Sequence, residues 1–76
     1  MIYFNNNTSK LIAKGFDSAV DRLMLINILG QTVQEFSNLD TIELENGLDI
    51  MNVSTGTYVV YLQHNNQVTT KKIIIN

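Results

Sequence analysis

The apolar positions of this chain fall in short runs broken by glycines and polar clusters, a pattern that predicts strands. The clearest run is Gly56-Thr57-Tyr58-Val59-Val60-Tyr61-Leu62-Gln63. His64-Asn65-Asn66 reverses it, and it returns from Gln67 through Lys71-Lys72-Ile73-Ile74-Ile75 to Asn76. This predicts a β-hairpin set against the C-terminus. Chain ends usually fray and carry polar residues. Three consecutive isoleucines there predict an end tied into a sheet and usable as a signal. Upstream, strands are predicted over Lys10–Ala13, ended by Gly15, and over residues 22–28 and 32–36. A turn at Leu29-Gly30 joins the last two, where a positive φ costs glycine little. After Ser37-Asn38-Leu39-Asp40, the alternation Thr41-Ile42-Glu43-Leu44-Glu45 predicts a strand with Ile42 and Leu44 inward. Asn46-Gly47 is the next turn, and residues 50–53 form a weak strand or an irregular crossing.

Helix competes poorly. Residues 16–29 have some apolar positions at helical spacing, but residues 23–29 are apolar on almost every side and stop at Gly30. The chain has no proline, and its four glycines lie 9 to 17 residues apart. The expected fold is all-β, with six or seven antiparallel strands in two packed sheets. Residues 23–28 and 58–62 are apolar on both faces, with only Asn27 polar. A strand with one wet face should alternate. Either these are central strands with a partly covered outer face, or they form an exposed patch that meets a partner. Residues 73–75 pose the same choice on an edge strand, where an open edge is a template for strand addition.

Length and charge narrow the classes. At 76 residues the chain is one small domain with a small core. It has no cysteine, so packing alone holds it together. A net charge of −2 with five scattered basic residues argues against a nucleic-acid interface. No apolar run approaches the roughly 18 residues that a membrane span needs. Met1-Ile2-Tyr3-Phe4-Asn5 lacks the basic region and long apolar core of a signal peptide.

Candidate chemistry is sparse. The one histidine, His64, lies in the predicted hairpin loop. A general base or a metal ligand is one reading of it. A solvated turn residue is the plainer one, because a metal site needs three or four converging ligands. Asp40, Glu43, Glu45 and Asp49 cluster in sequence, but strand positions facing water account for Glu43 and Glu45 better than calcium does. Lys71 and Lys72 read as a docking pair, as gatekeepers against strand pairing, or as both. No phosphate-cradling glycine loop and no nucleophile elbow is present. No catalytic residue, metal or cofactor is expected.

Three segments carry a resemblance. Leu25-Ile26-Asn27-Ile28-Leu29-Gly30-Gln31 matches a strand running into Ile-Tyr-Asn-x-x-Gly-Gln. Gly56-Thr57-Tyr58 matches Gly-x-Tyr before a penultimate strand, and Lys71-Lys72-Ile73-Ile74-Ile75 matches a terminal Lys-Lys followed by apolar residues. Tyr3-Phe4-Asn5-Asn6 stands where Tyr-Pro-Asn-Pro would open the domain, with both prolines missing and Leu11 in the first strand. In this order and spacing, the chain resembles the type A C-terminal sorting domain of the type IX secretion system of Bacteroidetes.

The resemblance implies a small immunoglobulin-like antiparallel β-sandwich. It implies that residues 1–76 are a single sorting domain, a fragment of a longer secreted protein. Such a domain is a non-catalytic label that directs covalently fused upstream cargo through the periplasm and the outer-membrane translocon to the cell surface, where a sortase removes it. Gly56, Tyr58, Lys71, Lys72, Ile73, Ile74 and Ile75 are the residues expected to carry recognition, with Asn27, Gly30 and Gln31 as the family turn motif. For Gly56 a backbone turn is the alternative role, and for Tyr58 a sandwich-corner residue with its hydroxyl bonded. The rival reading is an adhesive or carbohydrate-binding β-sandwich module, for which Tyr3, Phe4 and Tyr61 would have to form a stacking platform. A homodimer in isolation, through strand pairing or face packing, is compatible with the apolar strands.

Overall fold

The computed structural model describes residues 1–76. The elements run β1 (Ile2–Asn5), β2 (Lys10–Ala13), β3 (Val20–Asn27), β4 (Thr32–Leu39), α1 (Thr41–Asn46), β5 (Leu48–Asp49), β6 (Gly56–His64) and β7 (Gln67–Ile75). They make two antiparallel sheets, β1-β2-β5 and β4-β3-β6-β7. This is the immunoglobulin-like order. Strands β3, β6 and β7 stand as C, F and G, with β4 beyond C, and β1, β2 and β5 stand as A, B and E. Helix α1 falls in the chain where the constant-type sandwich has its D strand.

The inward faces of the two sheets form the core. Leu23 and Leu25 of β3, Tyr58, Val60 and Leu62 of β6, and Ile73 and Ile75 of β7 pack against Ile2, Leu11, Ala13 and Leu48 of the smaller sheet. Full burial of a leucine such as Leu23, Leu25 or Leu62 contributes roughly 1.5–3 kcal/mol. Strands β3 and β6 are apolar on both faces because they are the two central strands. Their outer residues Met24, Ile26 and Tyr61 are half-buried, while Val59 is exposed.

The sequence pattern misplaced one element. Residues 41–45 are not a strand but the start of α1, and Ile42 is 68% exposed while Leu44 is buried. An i, i+2 alternation fits a strand, yet one turn of helix needs only a single inward residue. The cap decides between them. Asp40 accepts from Glu43 N at 2.7 Å, and Asp40 O takes Leu44 N. An acidic N-cap with glutamate three residues on is a helix-start signal that the alternation masked. Strand β1, absent from the pattern-based reading, restores the count to seven. Strand β3 ends at Asn27, so Ile28 lies in the turn and not in the strand, and β4 runs on to Leu39. Residues 50–53 are the irregular crossing, with β5 just before them.

Asparagine takes much of the turn work in a chain without proline. Asn38, Asn52, Asn65 and Asn66 all have positive φ, which asparagine tolerates better than most residues. At Asn65-Asn66 the values of 50° and 63° make the two-residue turn whose twist suits a hairpin.

Gly47 closes α1 with φ of 104° and ψ of 138°. A Cβ there would lie 2.9 Å from Lys10 Cβ and 3.2 Å from Ile12 Cγ1, whereas one on Gly30, at φ of 83°, meets nothing within 4 Å. Gly47→Ala should therefore cost about 2–4 kcal/mol in urea unfolding, and Gly30→Ala about 1 kcal/mol, the backbone term alone. Equal costs would contradict this account of the Gly47 contact.

Candidate functional site

The three motif segments meet at one end of the four-stranded sheet. Asn27 pairs with Tyr58 across β3 and β6, and Tyr58 pairs with Ile73 across β6 and β7. Gly56 stands opposite Ile75, and Thr57 opposite Ile74. Gly30 and Gln31 close the turn beside them. Residues separated by up to nearly two thirds of the chain, from Asn27 to Ile75, thus stand on neighbouring strand ends, because antiparallel register sets start against end.

Asn27 organises the turn. Its Oδ1 accepts from Leu29 N at 3.0 Å and from Gln31 N at 2.9 Å, and its Nδ2 donates to Gln31 Oε1 at 3.0 Å. The backbone adds Asn27 N to Gln31 O and Gly30 N to Asn27 O. Asparagine supplies this double role because its side chain reaches backbone two residues on. Ile28 and Leu29 at the tip are 80% and 78% exposed. Ile28, expected at the end of the strand, belongs instead to this exposed apolar tip, because β3 ends at Asn27.

Tyr58 is a tyrosine corner. It is buried near the start of the F-equivalent strand, and its hydroxyl donates to Ser54 O, four residues upstream, at 2.6 Å. Gly56 opens the same strand at φ of 154°.

Strand β7 divides its motif between two faces. Ile73 and Ile75 are buried in the core; Ile74 and Lys72 point outward on the opposite face. Lys72 lies opposite Val59 and Lys71 opposite Val60. The two lysines therefore do not act on one surface. Lys71 lines a shallow cleft of about 380 Å³ with Lys14, Phe16 and Thr69. Lys10 and Arg22 have carboxylate partners, Asp49 and Glu35, while Lys14, Lys71 and Lys72 have none. Asn6, in the turn after β1, reaches the outer edge of β7 and bonds Ile74 O and Asn76 N.

The other candidates lie elsewhere. His64 is the last residue of β6, at the far end of the sheet, and its side chain is only 15% exposed, not a solvated loop residue. Its Nε2 is 2.8 Å from Ser18 Oγ and 3.6 Å from Asp17 Oδ1, and Phe16 meets the ring edge-on. A hydrolytic relay needs the carboxylate on the ring nitrogen opposite the hydroxyl. Here both groups crowd Nε2, so the cluster docks the β2–β3 connection onto β6. The acidic residues are dispersed as well: Asp40 caps α1 and Asp49 pairs with Lys10. Tyr3 and Phe4 belong to the smaller sheet and Tyr61 to the outer face of the larger one, so they share no platform. No helix is long and apolar enough to cross a membrane.

A family model described as "Secretion system C-terminal sorting domain" matches residues 2–76. No curated protein matches the chain.

The turn geometry makes Asn27 more important than its neighbour. Asn27→Ala should lower stability by on the order of 1–2 kcal/mol, and Gln31→Ala by clearly less, since Gln31 keeps its backbone bonds. Thermal unfolding of both variants checks this; the reverse ranking would refute the assignment of Asn27 as the hub.

Proposed function

This chain belongs to the family of secretion-system C-terminal sorting domains, which act as sorting signals for type IX secretion, and from that premise we propose which part of it is read. A domain of this family is fused to exported cargo and recognised by the secretion system, and the family is in general non-catalytic. The recognised surface in our reading is the end of the β4-β3-β6-β7 sheet where the three motifs converge. The single observation that carries this is that β7, in register with β6, buries Ile73 and Ile75 while it leaves Lys72 and Ile74 outward on an edge strand.

Burial divides the labour within that surface. Lys72 and Ile74, outward on an edge strand, touch the outer-membrane translocon directly, with Lys71 contributing from the adjoining cleft. Ile73, Ile75, Tyr58 and Gly56 act by holding the strand in place. The Asn27, Gly30 and Gln31 turn supports the neighbouring strand end. An edge strand with exposed backbone groups also suits recognition by strand addition. The domain itself is then a non-enzymatic label, taken through the periplasm to the cell surface and acted on there by a sortase.

The test is a periplasmic reporter fused ahead of the domain in a Bacteroidetes host. Deletion of residues 71–76 should abolish surface delivery, but it also removes two core isoleucines. Lys72→Glu and Ile74→Ser leave the core intact and should each lower delivery about tenfold, the effect of losing about 1.4 kcal/mol of recognition. Circular dichroism must show both variants folded. Full delivery by the folded double variant would refute this surface as the recognised one.

A further inference from the structure

The outer edge of β7 is a row of backbone groups without a neighbouring strand. In an antiparallel strand, alternate residues direct both N–H and C=O to the same side. Ile74 O points away from β6, since it meets Asn6. Val68, Thr70 and Lys72 share that direction, and their groups have no partner strand. At the end of the row the situation changes. Asn6 Nδ2 donates to Ile74 O at 3.2 Å, and Asn6 Oδ1 accepts from Asn76 N at 2.8 Å.

A carbonyl and the N–H two residues on are the two groups that one residue of a parallel neighbouring strand would take. A single carboxamide reproduces that residue, because it carries a donor and an acceptor on adjacent arms of one planar group. A carboxylate only accepts, and a hydroxyl has both functions on one atom. The turn that presents Asn6 is itself braced. Asn5 Oδ1 accepts from Asn7 N at 2.9 Å and Thr8 N at 3.3 Å, and Ser9 O accepts from Ile50 N at 3.0 Å.

We propose that Asn6 is an edge cap for the sorting strand. It stands in for one residue of a missing strand, ends the open edge of β7 at Lys72, and holds residues 74–76 in register as a positioning residue for export. This rests on the recognised surface described above. Strand addition along β7 then has residues 68–72 available, and Asn6 must be displaced before it extends to Asn76.

Two variants of the full chain, Asn6→Ala and Asn6→Asp, test the cap. In Asn6→Ala the Asn76 amide should exchange about tenfold faster, as loss of one hydrogen bond predicts, whereas Asn6→Asp keeps the acceptor for Asn76 N and loses only the donor to Ile74 O. The amides of Ile73 and Ile75, which face β6, should be unaffected, and in the unaltered chain the side-chain amide of Asn6 should be protected. In the reporter assay both variants should lower surface delivery while remaining folded. Unchanged exchange at Asn76 in Asn6→Ala overturns the cap. Full delivery by Asn6→Asp with lowered delivery by Asn6→Ala overturns the two-bond mechanism. Faster exchange with full delivery overturns the role in export and leaves the sorting function standing. Failure of the unaltered fusion to be exported would count instead against the sorting function in this host.

Discussion

The register between β6 and β7 is the constraint on which the rest of the structure depends. It runs unbroken from His64 opposite Gln67 to Gly56 opposite Ile75, and the two-residue turn at Asn65-Asn66 sets it. Strand side chains alternate with a period of two, so a slip of one residue would exchange the faces. Ile73 and Ile75 would leave the core, and Lys72 and Ile74 would be driven into it. Burying an unpaired lysine costs far more than an isoleucine gains. The turn, the core and the outward row of β7 are therefore one decision, made at the hairpin tip and felt nine residues away at the other end of the strand.

The end of the sheet where the motifs converge is held by side chains bonding to backbone. Asn27 ties the β3–β4 turn, the Tyr58 hydroxyl ties the crossing into β6, and Asn6 ties the edge of β7. Each of these bonds is worth only about 1 kcal/mol net. Their value is geometric, because each fixes a segment that strand pairing alone leaves loose. A small domain has little core with which to order its periphery, and polar side chains aimed at backbone do that work here.

The family motifs are for the most part folding motifs. Asn27, Gly30 and Tyr58 shape turns and a corner, and Ile73 and Ile75 fill the core. What remains exposed on the motif strand is Lys71, Lys72 and Ile74. The outward residues of β7 are placed by the inward ones, because side chains alternate along a strand.

Left open by the sequence were whether β3 and β6 are central and whether Tyr58 is a buried corner; what it determined by itself was the β character and the hairpin with its asparagine turn. These follow from side-chain period and local φ preference, which act within a few residues. Only the tertiary structure decided that residues 41–46 coil into a helix, since their alternation satisfies a strand equally well until Asp40 caps them and Leu44 finds a core to enter. It alone paired β1 with β2, and separated the buried isoleucines from the exposed one. It alone brought Asn6 against Asn76, a contact across 70 residues. Such a contact has no local signature, because it exists only once two sheets have packed and one edge has come within a side chain's reach of a turn.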